Sequence, residues 1–121
     1  MMALLRALYA SPEAERDPEA WATRFAAHFG LGCLGWLLLV RFTGPQSAAV
    51  AVCLAYLAWE ALQWPGGLRM AADGVLDWCA VTLGVCALAA VWMHDAPAAL
   101  GFGLATIVVA LAGIERRTKW Q

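Results

Sequence analysis

The stretch WEALQWPGGLRMAADGVLDW, residues 59–78, places five polar side chains between two long apolar segments. Pro65, Gly66 and Gly67 form its centre, and such a run ends a helix and starts a turn. The residues on either side are rich in Ala, Leu, Val and Trp, with no other strong helix breaker nearby. The stretch therefore predicts a hairpin of two apolar helices with polar groups on both sides of its turn.

The composition indicates that this hairpin folds in a membrane. Of the 121 residues, 63% are hydrophobic and 14% are charged. Soluble domains have roughly 45–50% apolar and about 25% charged residues, and so short a chain would expose much of its apolar surface to water. The net charge of −1 and the lack of a basic face give no indication of nucleic-acid binding.

Three further breaks divide the remaining sequence into helices. A helix-start signal, Asp17-Pro18-Glu19, opens the first apolar run, and the other breaks lie at residues 43–45 and 94–97. A membrane span needs about 20 residues, and the first run reaches that length if Arg24 and Arg41 extend towards the lipid head groups. We predict an all-α fold, a single membrane domain over residues 1–121, in which a short N-terminal amphipathic segment precedes an antiparallel bundle of four transmembrane helices near 20–42, 45–63, 72–93 and 97–114.

The basic residues predict the orientation of this bundle. Four spans put both termini and the middle loop on one side, which receives seven of the eight Lys and Arg residues. Positive charge concentrates in cytoplasmic loops, so we expect a multi-pass protein of the bacterial inner membrane with both termini in the cytoplasm. Trp21, Trp64 and Trp120 are then expected at the cytoplasmic interface, and Trp92 at the opposite one.

On this model the polar residues of the hairpin converge. Glu60 and Gln63 share one face of the second helix, and Asp73 and Asp77 share one face of the third. Folding at Gly67 brings Gln63 level with Asp73, and Glu60 level with Asp77. The first helix adds His28 at a similar depth. Including Arg69, the predicted ligand-binding residues are Glu60, Gln63, Arg69, Asp73, Asp77 and His28.

Charged groups at this depth need partners. A carboxylate at the centre of a membrane helix costs about 2.5–3.5 kcal/mol on insertion scales, and two facing carboxylates favour a shared proton or a cation between them. Arg24, Arg69 and His28 are the available counter-charges. A purely structural role is the alternative, with Asp73 capping the third helix and Glu60 paired with Arg69. The identity of any metal stays open.

The four cysteines give no indication of a metal or disulfide site. They form no C-x-x-C pair and lie inside apolar runs, which is typical of small core residues. They are Cys33, Cys53, Cys79 and Cys86.

The order Glu60-x-x-Gln63, Arg69, Asp73-x-x-x-Asp77 and then Gly84 resembles the VanZ-like family of small bacterial membrane proteins. The resemblance covers about 25 residues and the pattern of four spans. Asp77 stands where the family usually has Asn, and Ala80 where a Gly often follows. The resemblance implies a polar site, the four-helix fold and an envelope location linked to glycopeptide resistance, but no reaction.

Several functions fit this sequence. The first is binding of a cation or a lipid-linked head group by the polar residues, with membrane lipids as partners, in envelope stress or glycopeptide resistance. The second is catalysis on a lipid, with the carboxylates as acid and base or as Mg²⁺ ligands. No catalytic signature supports it, so no catalytic residue and no cofactor are predicted. A phage-type holin or lysis accessory protein, which would form homo-oligomers, and a structural subunit of a larger membrane complex remain the alternatives.

Overall fold

The computed structural model describes residues 17–62 and 68–119, except for the side chains of residues 68–73. This part of the chain contains four α-helices, which confirms the predicted all-α fold. The predicted N-terminal amphipathic segment, the turn at 65–67 and the positions of Trp64 and Trp120 lie outside the described residues. The helices are α1 (Pro18–Thr43), α2 (Pro45–Leu62), α3 (Leu68–Trp92) and α4 (Ala96–Thr118).

The helix ends follow from local capping chemistry. The Asp17 carboxylate accepts a hydrogen bond from the backbone N–H of Glu19 at 2.9 Å, and Pro18 occupies the first turn. Asp95 caps α4 in the same way, accepting from the N–H of Ala98 at 3.0 Å. Gly44, with φ of 83°, is the single residue between α1 and α2. It reverses the chain because glycine adopts positive φ without strain, so α1 and α2 run antiparallel.

Two helix boundaries differ from the prediction by one turn. α3 begins at Leu68 rather than near residue 72, because residues 68–72 contain good helix formers and no breaker. α4 continues to Thr118 rather than ending near 114. Its last turn is stabilised by basic residues at the negative end of the helix dipole and by the Lys119–Glu115 ion pair, 2.6 Å between Nζ and Oε1.

The helices α1 and α3 form the central pair of the bundle, and each packs against both α2 and α4. Two glycines bring these central helices together. A Cβ atom on Gly32 would overlap the carbonyl oxygen of Val81 and lie 2.9 Å from its carbonyl carbon. A Cβ on Gly84 would meet the Phe29 carbonyl in the same way, with 3.0 Å to the carbon. The backbones touch because neither position carries a side chain.

Two hydrophobic cores lie on either side of this crossing. The first core joins α1, α2 and α3, and the second joins α1, α3 and α4. The first core consists of Trp36, Val40, Ala48, Val81, Val85 and Ala89. The second consists of Trp21, Phe25 and Ala80, against which Ala22, Leu83, Val109, Ala110 and Ile114 pack.

Indole groups fasten α2 to its neighbours. Trp36 is fully buried, and its Nε1–H donates to the Pro45 carbonyl at 3.0 Å. Trp78 of α3 donates to the Cys53 carbonyl at the same distance. In an apolar interior an indole N–H needs a partner, so these bonds fix where α2 sits. The four cysteines are free and half-buried, and Cys33 donates to the Gly84 carbonyl at 3.3 Å.

The outer surface of the bundle is apolar. Large side chains such as Leu38, Leu54, Leu104 and Val108 are each about 60% exposed, as suits contact with lipid tails. Among the described residues, three helical segments are long and apolar enough to cross a membrane: Pro18–Thr43, Gly74–Trp92 and Ala96–Thr118. The chain is therefore a small multi-pass membrane protein. α2 has 18 residues, or about 27 Å at 1.5 Å per residue, and its crossing stays a prediction.

Reporter fusions test the orientation. We expect a fusion at Gln121 to report the cytoplasm and one inserted at Gly44 to report the opposite side, because α1 and α4 end on opposite sides of an antiparallel bundle. Identical reports from the two positions would contradict the four-span topology. The two fusions control for each other's expression.

Candidate functional site

The most buried charge in the described part of the chain is Asp77, in the middle of α3. Its carboxylate accepts a hydrogen bond from the guanidinium of Arg24, on α1, and the two groups form a salt bridge. The side chains are only 12% and 19% exposed, respectively. The pair connects the two central helices about two helical turns from the end of the bundle where α1 begins and α4 ends. α1 and α3 are therefore joined by a charge pair as well as by the glycine crossing.

His28 lies one turn after Arg24 on the same face of α1. Its Nδ1 is 2.8 Å from the Arg24 carbonyl oxygen, and its Nε2 is 3.7 Å from the same Asp77 oxygen that Arg24 contacts. The His28 side chain is 4% exposed. The ring is therefore held between its own helix and Asp77, with little access to solvent or lipid.

α2 contributes Tyr56 and Glu60. The Tyr56 ring meets the His28 ring edge-on, with 5.8 Å between ring centroids. Its hydroxyl is hydrogen-bonded to Glu60 and is close enough to Asp77 and Arg24 to interact with both charges. Glu60 in turn lies on Gly74 of α3, where its Oε2 would be 2.8 Å from an added Cβ. The missing side chain at Gly74 thus leaves room for the Glu60 carboxylate.

These contacts define a polar cluster formed by Arg24, His28, Tyr56, Glu60 and Asp77. Three helices supply it, and Glu60 is the third residue from the end of α2. Arg24 is six residues into α1, or about 9 Å along the helix axis. The polar cluster therefore lies close to the end of the bundle where α1 begins and α4 ends.

The structure brings together three of the six predicted residues: His28, Glu60 and Asp77. Gln63 lies outside the described residues. Arg69 and Asp73 lie in the first two turns of α3, but their side chains are outside the described set. Ligand binding by these six residues stays a prediction.

Two members of the polar cluster were not among the predicted ligand-binding residues. Arg24 was expected to extend towards the head groups and was also named as an available counter-charge, and its guanidinium pairs with the buried Asp77 carboxylate. Tyr56 carried no prediction. The available signal was helical spacing: Arg24 is four residues before His28, and Tyr56 is four residues before Glu60, so each shares a face with a predicted residue.

The charges of the polar cluster do not cancel. Arg24 contributes one positive charge and Asp77 and Glu60 two negative charges, so the sum is −1 with a neutral His28. Adding Arg69 and Asp73 leaves this sum unchanged. Within the described residues, the buried Nε of Arg24 has no hydrogen-bond partner. No three His, Cys, Asp or Glu side chains of this part are grouped so that they could hold a metal ion.

A second cationic contact lies beside the polar cluster, between α1 and α4. The Arg117 guanidinium lies 4.7 Å above the Trp21 ring, and its Nη1 donates to the Gly113 carbonyl at 3.1 Å. Trp21 stacks on Phe25 with 5.3 Å between centroids and is 7% exposed. The Trp21 ring fills the space above Gly113 in the second core, and its position at the cytoplasmic interface stays a prediction.

Comparisons with protein-family models, curated proteins and solved structures found no match to this chain. The resemblance to VanZ-like proteins accordingly stays a prediction based on the residues quoted above.

Proposed function

We propose that this chain is an inner-membrane protein that binds an amine-bearing phospholipid head group at the polar cluster, from the cytoplasmic leaflet. The observation that carries the proposal is the placement of Glu60. Its carboxylate lies beside Tyr56 and Gly74, while the one described basic residue of the polar cluster, Arg24, is engaged by Asp77.

The net charge of the polar cluster favours a cationic group as the ligand. An uncompensated carboxylate is costly in a low-dielectric environment, and a positively charged partner removes that cost. An ammonium group fits better than a metal ion, because a carboxylate beside an aromatic ring is suited to ammonium recognition, and the described residues provide no metal-ligand group.

The surroundings of Glu60 support access from the lipid. Glu60 is half-buried, and its neighbour Trp59 is 46% exposed on the outer surface of α2. Polar residues inside membrane proteins normally indicate a functional site, because buried ion pairs stabilise little compared with apolar packing. Leu or Ala side chains could fill this space between the helices without any charge, as apolar side chains do elsewhere in the bundle.

The sequence supplies a partner for the rest of such a lipid. Arg69, at the start of α3, is a candidate contact for the phosphate, which would make the ligand zwitterionic, like phosphatidylethanolamine. The resemblance to VanZ-like proteins supports an envelope role, including the link to glycopeptide resistance. The bacterial inner membrane and the cytoplasmic location of both termini belong to this proposal.

Lipid binding to the purified protein tests the proposal. We expect the wild type to retain phosphatidylethanolamine in preference to phosphatidylglycerol in native mass spectra, because only the former carries an ammonium group. Glu60→Gln is expected to weaken this preference by about tenfold or more, the effect of losing one charge-assisted hydrogen bond. The control is Glu115→Gln, which removes a carboxylate that is 67% exposed at the same end of the bundle.

Equal retention of the two lipids by wild type, or an undiminished preference in Glu60→Gln, would refute the proposal. Either result would favour a holin or a structural subunit, in which the polar cluster only holds the helices together. A teicoplanin-susceptibility assay on the same two variants connects lipid binding to the cell envelope: we expect Glu60→Gln, but not Glu115→Gln, to lose any protection that the wild type confers.

A further inference from the structure

We propose that His28 and Asp77 form a proton-binding pair inside the membrane region, and that the proton and the cationic head group compete for the polar cluster. The second clause rests on the proposed function, whereas the first stands on the geometry of His28 alone.

The hydrogen bond of His28 determines which nitrogen carries its proton. Nδ1 lies 2.8 Å from the Arg24 carbonyl oxygen, and a carbonyl oxygen can only accept. Nδ1 therefore carries a hydrogen in every protonation state that keeps this bond. Neutral His28 must then have a bare lone pair on Nε2.

That lone pair faces another acceptor. Nε2 is 3.7 Å from the Asp77 carboxylate oxygen, beyond hydrogen-bond distance. A proton added at Nε2 would turn this contact between two acceptors into a charge-assisted hydrogen bond. The space between His28 Nε2 and the Asp77 carboxylate can therefore hold one proton. Because the His28 side chain is only 4% exposed, solvent has little access to it.

The charged groups around His28 act in opposite directions: the Asp77 carboxylate favours a proton on Nε2, and the Arg24 guanidinium opposes it. From α1, Arg24 contacts the same Asp77 oxygen and partly offsets its charge. From α2, Tyr56 packs edge-on against His28, and its hydroxyl is hydrogen-bonded to Glu60. From α4, Arg117 is held over the Trp21 ring. From α3, the described side chains contribute Asp77.

The balance of these charges explains the competition. Arg24, Asp77 and Glu60 sum to −1, and one proton on His28 brings the sum to zero. An ammonium group beside Glu60, with its phosphate held outside the polar cluster by Arg69, would also bring the sum for the polar cluster to zero, and either arrangement removes the cost of its net charge. Both together would leave +1, so binding of the head group should release the proton.

Nitrogen-15 NMR of labelled histidine observes this proton directly. The chain has two His residues, so the variant His94→Gln leaves His28 as the sole reporter. In nanodiscs of phosphatidylglycerol, we expect neutral His28 to be the Nδ1–H form and to coexist with a doubly protonated form. In the Arg24→Gln background, which leaves no unpaired Arg24 charge, Asp77→Asn should reduce the doubly protonated fraction at a given pH by about fivefold or more, because the acceptor charge is lost. Glu115→Gln is the control and should leave the fraction unchanged.

A second arm tests the competition. Replacing phosphatidylglycerol by phosphatidylethanolamine should lower the doubly protonated fraction of His28, and Glu60→Gln should abolish this lipid effect. An Nε2–H neutral form, or a fraction that is insensitive to Asp77→Asn, would overturn the proton site whatever lipid is bound. A proton that depends on Asp77 but not on the lipid would overturn the competition. Failure of the lipid-retention experiment alone would instead count against the proposed function.

Discussion

Adding one methyl group at Gly32 or Gly84 is expected to prevent the bundle from assembling. In each case the new Cβ would overlap a backbone carbonyl of the facing helix, Val81 or Phe29. Backbone atoms have no alternative rotamer, so α1 and α3 must move apart. Overpacking typically costs 1–3 kcal/mol, and we expect Gly32→Ala and Gly84→Ala each to destabilise the protein by about 3 kcal/mol or more because a backbone is the obstacle.

The control for this prediction is Gly30→Ala. Gly30 lies on the same helix, but a Cβ there would have no neighbour within 4 Å. Alanine favours a helix over glycine by about 1 kcal/mol in water, so this variant should be neutral or slightly more stable. Melting temperature and monodispersity in detergent provide the measurement. If Gly32→Ala and Gly30→Ala melt alike, α1 and α3 do not cross at this point.

Removing Asp77 alone is expected to have an effect of similar size. Asp77→Leu leaves the Arg24 charge buried without its partner, and breaking a buried ion pair in this way costs about 3–5 kcal/mol. The double variant Arg24→Met with Asp77→Leu removes both charges and keeps similar volumes, so we expect it to recover most of the lost stability. Chemical or thermal unfolding of the two single variants and the double variant gives the interaction energy.

The two substitutions must therefore be strongly non-additive. If the double variant is as unstable as the sum of the single variants, the two side chains do not depend on each other, and the salt bridge has no structural weight. The same reasoning bears on any functional test that neutralises Glu60 and Asp77 together. Such a variant strands Arg24, so Arg24→Gln must be included before a loss of activity can be assigned to the carboxylates.

The helices and the proximity of the polar residues could be predicted because both depend on local signals. Asp17-Pro18, Gly44-Pro45 and Asp95 stop or start helices through their own backbone and capping chemistry, whatever surrounds them. The spacing of His28 from Arg24, or of Glu60 from Tyr56, likewise depends only on the helix period. Predictions based on these signals agree with the described residues to within one helical turn.

The direction of individual side chains could not be predicted from the same signals. Arg24 has enough length either to reach the interface or to turn towards Asp77, and only the neighbouring helix decides between them. The direction of the Trp21 ring likewise depends on α4, where Gly113 leaves room for it between the helices. The crossing at Gly32 and Gly84 also depends on the rotation of two helices about their axes, which a pattern of mostly apolar residues leaves undetermined.

The attachment of α4 has a mechanical consequence. Its packing partners in the second core, Val109, Ala110 and Ile114, all lie in its C-terminal half, beside the Trp21 ring that rests on Gly113. The first core draws its members from the other three helices. The half-buried residues of its N-terminal half, such as Phe102 and Thr106, belong to neither core. The loop around Asp95 therefore lies at the end of α4 that is farthest from its core contacts, and changes in bilayer thickness should reach this loop before they reach the glycine crossing.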